Sequence, residues 1–230
     1  MSGREIGLTF QDDLVRAILA GRKVRTRRPP RVQPTTDLEG HEGELFHCTG
    51  QGKYRSGPPS GPFGVPGDRI WVREAWRIGA WRKTEEGYFS HFAVDYRSSP
   101  ERKETPLLEV PDEDEANKWR DRLLYELHSK NVPYPYRWEP GQAPLKWHPS
   151  IHMPRWACRL VLPITSISFE RLQDITDEQA IEEGVVDPLL GCHGLNPRTI
   201  FKHLWDSIYA GRGLGWDANP WVFNVGFQKG

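Results

Sequence analysis

The sequence predicts an α+β chain: a small β-barrel of short strands, flanking helices and two irregular insertions. Three observations point there. Short runs alternate apolar and polar residues, as half-buried strands do. Helical periodicity is confined to a few brief segments. Twenty prolines and 22 glycines among 230 residues require many turns and argue against a long-helix bundle.

A chain of this length can bury a core, and it reads as one domain, 1–230, with insertions at about 29–66 and 98–148. A formal net charge of zero excludes a bulk polyanion binder, so any nucleic-acid contact has to come from a local patch. Three cysteines, Cys48, Cys158 and Cys192, lack a paired spacing, which argues for a reducing compartment. Neither a signal peptide nor a membrane-spanning stretch is evident, so a cytoplasmic protein without a membrane partner is expected. Oligomeric state is not legible.

In chain order, Phe10 to Ala20 reads as a helix with Phe10, Leu14, Val15, Ile18 and Leu19 on one face. Gly21 supplies its left-handed stop. From Pro29 to Pro66 periodicity is lost. His41, His47 and Cys48 lie there, in a spacing that matches no zinc pattern, and no metal or organic cofactor is expected. Pro66-Gly67-Asp68 is a turn into a strand from Arg69 to Arg77, and a second strand runs from Gly87 to Asp95. Ser98 to His148 is irregular apart from a helix at Asp112 to His128, whose stripe is Ala116, Trp119, Leu123, Leu124 and Leu127. A strand from Arg159 to Phe169 is expected to break at Pro163. Thr176-Asp177-Glu178-Gln179 is a capping box, its helix ending at Glu182-Glu183 before Gly184. Asn196-Pro197 caps a helix carrying Ile200, Phe201, Leu204, Trp205 and Ile208, and Trp221 to Phe227 alternates as a closing strand.

One stretch concentrates chemistry. Gly21-Arg22-Lys23-Val24-Arg25-Thr26-Arg27-Arg28 combines a potential base, a potential nucleophile and four arginines at a chain reversal. A solvated basic turn or a phosphate-holding loop would use the same residue types. Glu74 falls among apolar strand positions, which requires either an arginine partner or protonation by desolvation. Of the ten tryptophans, most should be core, with Trp71, Trp76 or Trp156 available to stack on a planar ligand. His152 and Arg155 are further candidates.

The order of motifs resembles the ASCH domain, a PUA-like β-barrel related to RNA-binding modules. It consists of a helix, Gly-x-Lys-x-x-Thr-x-Arg, Pro-Gly-Asp and a strand, Leu-x-Asp-Ile-Thr, Ala-x-x-Glu-Gly, and a closing Trp-Val-x-x-x-x-Phe strand. Ile70 to Glu74, Ser150 to Ala157 and Gly215 to Trp221 resemble the phage-type branch. The likeness touches Phe10 to Phe227 but neither insertion, and Gly226 stands where many relatives carry an acidic residue. Within this family a small bacterial enzyme removes the acetyl group from N4-acetylcytidine, an activity attributed to a Lys, Thr and Glu triad. The resemblance carries these roles onto Lys23, Thr26 and Glu183, with Glu182 one register away.

The implied activity is metal-independent hydrolysis of an N4-acylated cytosine nucleoside. Arginines around Lys23 and its desolvation would favour a neutral amine able to act as base. The negative end of the helix dipole would keep Glu183 protonated as an acid. Arg27 or Arg28 would hold the acyl oxygen or a phosphate, with Glu74, Trp76, His152, Arg155 and Trp156 completing a substrate site. A Lys23–Glu183 salt bridge is the plain structural alternative. The alternative functions are a non-catalytic module that reads RNA or a modified base, and a ribonuclease.

Overall fold

A computed structural model of the chain describes residues 3–34, 46–48, 54–56, 62–83, 89–106, 110, 112–185 and 196–229; for 46–48, 54–56, 81–83 and 89–90 only the backbone is described. His41, Gly87 and Cys192 lie outside these residues, as do the side chains of His47 and Cys48. The elements are β1 (Glu5–Thr9), α1 (Asp12–Leu19), β2 (Arg25–Arg28), β3 (Phe46–Cys48), β4 (Tyr54–Ser56), β5 (Arg69–Arg73), β6 (Trp76–Lys83), β7 (Phe89–Tyr96), β8 (Ser99–Pro106), α2 (Glu113–Ser129), β9 (Val161–Arg171), α3 (Asp177–Glu182), α4 (Pro197–Tyr209) and β10 (Trp221–Phe227). The fold is mixed α+β. Five strands run in the order β1-β5-β9-β10-β2, three form β6-β7-β8, and β3 pairs with β4. The larger sheet has β1 and β2 at its ends, so among the described residues it is an open sheet where a closed barrel was expected.

The chain divides into two compact units: residues 1–7, 16–70 and 161–230, and residues 8–15 and 71–160. In the first, β10 lies antiparallel between β9 and β2. One face of β10 presents Val222, which joins Leu172, Ile175, Ala180, Phe201, Trp205 and Tyr209 in an apolar cluster built with α3 and α4. Phe223, on the other face, meets Phe169 at a ring-centroid distance of 4.7 Å. β9 does not break at Pro163; it runs unbroken to Arg171. The irregularity is a bulge on β9: Gly226 pairs with Ser166 and Phe227 with Ile164, so Thr165, two residues after Pro163, is the extra residue. A bulge of this kind is one of the places where a strand tolerates proline.

In the second unit β6, β7 and β8 form an antiparallel meander, and its largest fully buried side chains include Trp76, Phe92 and Leu127. The single strand expected from Arg69 to Arg77 is two strands in different sheets. At the break, the Glu74 amide donates to Met153 Sδ (3.3 Å) and the Ala75 carbonyl accepts from Arg97 N (3.0 Å). The region expected to be irregular holds β8, Ser-Pro-Glu-Arg-Lys-Glu-Thr-Pro, an edge strand with neither apolar alternation nor a proline-free run to betray it. α2 starts at its expected place, where the Asp112 carboxylate accepts from Asp114 N.

Candidate functional site

The site is built by the ends of two helices. α1 stops at Gly21, at φ 72°, and the following amides turn back. Arg22 N and Lys23 N both donate to the Ala17 carbonyl, at 2.8 and 3.1 Å. That cap places Lys23 two residues before the start of β2. α3 opens on the expected capping box, in which Thr176 Oγ1 accepts from Gln179 N and Gln179 Oε1 accepts from Thr176 N, each at 3.2 Å. Its far end docks against the Lys23 segment: Val24 N donates to the Glu182 carbonyl at 2.9 Å, and Lys23 Nζ to the Glu183 carbonyl at 2.8 Å. A lysine on terminal carbonyls satisfies otherwise orphaned acceptors and complements the helix dipole.

Lys23 Nζ also donates to Glu183 Oε2 at 2.7 Å. The other oxygen of Glu183 accepts from Arg27 Nη1 at 3.3 Å, so two cations divide one carboxylate. All three residues are buried, at 2%, 3% and 3% exposure for Lys23, Arg27 and Glu183. The rest of the Arg27 guanidinium is held from behind. Its Nε and Nη2 donate to Glu170 Oε1 at 2.9 and 2.7 Å, and Nη2 also reaches Gln179 Oε1 at 2.7 Å. Glu170 Oε2 accepts from Ser168 Oγ and Asn224 Nδ2. Beside this network, Arg25 donates to Glu182 Oε2 (2.6 Å) and Asn224 Oδ1 (3.2 Å). Glu182 and Glu183, adjacent in sequence, thus serve different cations.

Burial pushes the Lys23 ammonium below its ordinary range, and the neighbouring Arg28 and Arg27 add to that, while Glu183 opposes it. The depression expected from charge crowding is therefore owed first to desolvation. With a buried carboxylate in contact, such an amine can accept or return a proton over a single hydrogen bond.

Thr26 is buried but differently placed. Register pairs Thr26 with Val225 and Arg27 with Asn224, so the pleat turns Thr26 and Arg27 to opposite faces of β2. Arg28, in phase with Thr26, reaches Tyr209 Oη at 3.5 Å. The geometry brings Lys23, Arg27 and Glu183 together and leaves Thr26 on the other side of the strand.

The remaining candidates belong to the second unit. Glu74 is fully buried, and both its oxygens accept from Arg159, from Nε at 2.9 Å and from Nη2 at 3.0 Å. Ser98 Oγ donates to Glu74 Oε2, and Arg159 continues to Ser99 Oγ and Glu101 while lying over the Tyr96 ring at 4.0 Å. This is the arginine-paired alternative for Glu74. Trp76 is fully buried among Trp119, His148 and Trp156. Trp156 stacks on Phe92 and donates its indole N–H to Glu115. His152 and Arg155 are exposed. Among the described residues no cluster of His, Cys, Asp and Glu could hold a metal, and no helix is long and apolar enough to cross a membrane.

Sequence reasoning missed Glu170, Gln179 and Asn224 as members of the site, and it placed Arg25 around Lys23 where the structure pairs it with Glu182. Two signals were available. Gln179 was already placed at the third position of a capping box, and Ser168 and Glu170 are polar at alternate positions of an apolar strand, on the face of the sheet that Arg25 and Arg27 share. Comparison with known proteins adds no relative: no protein-family model, curated protein or solved structure matches the chain.

Proposed function

We propose that the chain is an ASCH-type, PUA-like domain that hydrolyses the amide of N4-acylated cytosine nucleosides. The observation that carries the reading is the buried 2.7 Å contact between Lys23 Nζ and Glu183 Oε2, formed by the lysine of the Gly-x-Lys-x-x-Thr-x-Arg run and the glutamate of Ala-x-x-Glu-Gly. Thr26 Oγ attacks the acyl carbon as its proton passes to neutral Lys23. The tetrahedral oxyanion then collapses, breaking the bond from the acyl carbon to N4, and the proton returns through the Lys23–Glu183 pair to the departing amine. The free cytosine amine leaves at that step, and water then hydrolyses the acyl-threonine ester, releasing a carboxylic acid and restoring the Thr26 hydroxyl. The demanding step is the first. Thr26 has to reach Lys23, which lies two residues before β2 and outside its pleat, and the substrate has to part the side chains covering the pair.

The same burial, and the placement of Thr26 across the strand, favour a second reading. In it the Lys23–Glu183 pair is a clasp that docks α3 on β2, and the chain is a non-catalytic module that binds RNA or a modified base. Incubating purified protein with N4-acetylcytidine and following loss of the acylated chromophore separates the two. The enzyme reading expects turnover that Lys23→Ala and Thr26→Val each abolish. Turnover that survives both removes the triad. Absent turnover, with RNA binding that weakens steeply as salt rises, establishes the second reading.

A further inference from the structure

We infer that Glu170 is a positioning residue: it holds Arg27 so that the guanidinium and the Lys23 ammonium each take one oxygen of Glu183. Its catalytic consequence rests on the amidohydrolase reading; its structural content does not. Arg27 offers three donor nitrogens, and Glu170 occupies two of them through a single oxygen, at 2.9 and 2.7 Å. Gln179 takes the outward hydrogen of Nη2. Only Nη1 is left to face Glu183, at the longer distance of 3.3 Å, while Lys23 holds its own oxygen at 2.7 Å. The lengths rank the attachments. Arg27 belongs first to Glu170, and Glu183 first to Lys23.

Glu170 is itself fixed. Its second oxygen accepts from Ser168 Oγ at 3.1 Å and Asn224 Nδ2 at 3.3 Å, both from positions on the same face of the sheet. The chain of contacts is continuous from β9 through β2 to the end of α3, and Glu170, at 21% side-chain exposure, is more accessible than Arg27 at 0% or Glu183 at 4%. Among the described residues the charged groups that bear most on Lys23 are Glu183, Arg28 and Arg27, and Arg25 is engaged separately with Glu182. If Glu170 loses its charge, Arg27 keeps its own, because a guanidinium does not deprotonate in this range. Glu183 becomes the nearest carboxylate for Arg27, and Lys23 has to share it.

The test is a titration of Lys23 in the folded protein, read from the lysine 13Cε resonance without substrate and assigned by its loss in Lys23→Met. Glu170→Gln should lower the Lys23 midpoint by about one pH unit. Adding Arg27→Gln to that variant should return the midpoint to the wild-type value or above, because the competing cation is gone. If Glu170→Gln does not fold, Glu170→Asp keeps the charge but withdraws the fork, and should give about half the shift. A midpoint unmoved in the folded variant, or a fall that persists in the double variant, overturns the inference. With N4-acetylcytidine, the acid limb of kcat should move down by the same interval in Glu170→Gln while KM is unchanged. Wild-type protein without turnover removes the amidohydrolase reading but leaves the titration result standing. Turnover together with an unmoved Lys23 midpoint removes this inference alone.

Discussion

A Cβ placed on Gly184 would lie 2.8 Å from Lys23 Cβ and 2.8 Å from Ala17 Cβ. Gly184 is the residue at which the chain leaves α3, with φ at 78°, so it both ends the helix and lets that helix approach the site. The contact between Lys23 and Glu183 depends on that approach, because Glu183 is the C-cap residue immediately before the glycine.

Gly184→Ala should therefore cost more than a left-handed backbone alone. Gly213 is the internal control, since it has φ 72° with nothing within 4 Å of an added Cβ. Gly213→Ala should destabilise the protein by about 1 kcal/mol. Gly184→Ala should cost about 2–4 kcal/mol, because overpacking against Lys23 and Ala17 is added. Urea unfolding of the two variants checks the difference, and equal losses would mean that the Lys23 segment yields without resistance.

The parts of this arrangement that were legible in sequence share a property: each is set by neighbours along the chain. Gly21 as a stop, the Thr176–Gln179 box, Asn196 as a cap and the strand at Trp221 to Phe227 are local signals. The alternation that marks that strand implies a half-buried one, however, and β10 is buried on both faces from Val222 to Phe227. The division of β5 from β6 was hidden because it depends on Met153 and Arg97, remote residues that take the hydrogen bonds of Glu74 and Ala75. β8 was hidden because its ladder to β7, not its own pattern, makes it a strand. At the site, Lys23 and a glutamate could be proposed from motif order. Choosing Glu183 over Glu182 required the path of the chain after α3, and Glu170 required knowing that β9 and β2 flank β10.

Lys23 should make stability depend on pH. Its folded-state midpoint lies below the ordinary 10.5 because of burial, so between that midpoint and 10.5 the unfolded chain binds more protons than the folded one. Stability should rise with pH across that window, by about 1.4 kcal/mol per unit at full effect, and the gain is lost as pH falls through the folded midpoint. Lys23→Met removes this contribution. Unfolding free energies of wild type and Lys23→Met, measured between about pH 7 and 10, should diverge as pH increases. Parallel curves would show that Lys23 titrates alike in both states.

Glu74 and Arg159 should behave as a buried structural pair. Removing one partner leaves an uncompensated charge, so Glu74→Leu or Arg159→Met should each cost about 3–5 kcal/mol. The double variant should recover much of that loss, since apolar replacement of a whole buried pair is often nearly neutral. A double-mutant cycle by chemical denaturation reads the coupling. Under the amidohydrolase reading, turnover of N4-acetylcytidine by the folded double variant tests whether Glu74 also serves the substrate: a structural role leaves it within a few-fold of wild type.

The adjacent glutamates at the end of α3 offer the sharpest discrimination, because one substitution at two neighbouring positions meets opposite surroundings. Glu182 is 40% exposed in its side chain and holds an Arg25 that is itself partly exposed. Screening by solvent limits such a pair to about 1 kcal/mol or less, so Glu182→Gln should barely move the urea midpoint. Glu183 has 4% side-chain exposure and compensates Lys23 and Arg27 together. Glu183→Gln strips the carboxylate charge from two buried cations and should cost about 3 kcal/mol or more. On the proposed reaction the two should separate further, Glu182→Gln retaining turnover within a few-fold and Glu183→Gln losing about a hundred-fold or more, the usual scale of a positioned proton donor. If Glu183→Gln turns over N4-acetylcytidine as well as Glu182→Gln does, the carboxylate beside Lys23 takes no part in moving the proton, and the pair is a clasp between α3 and β2.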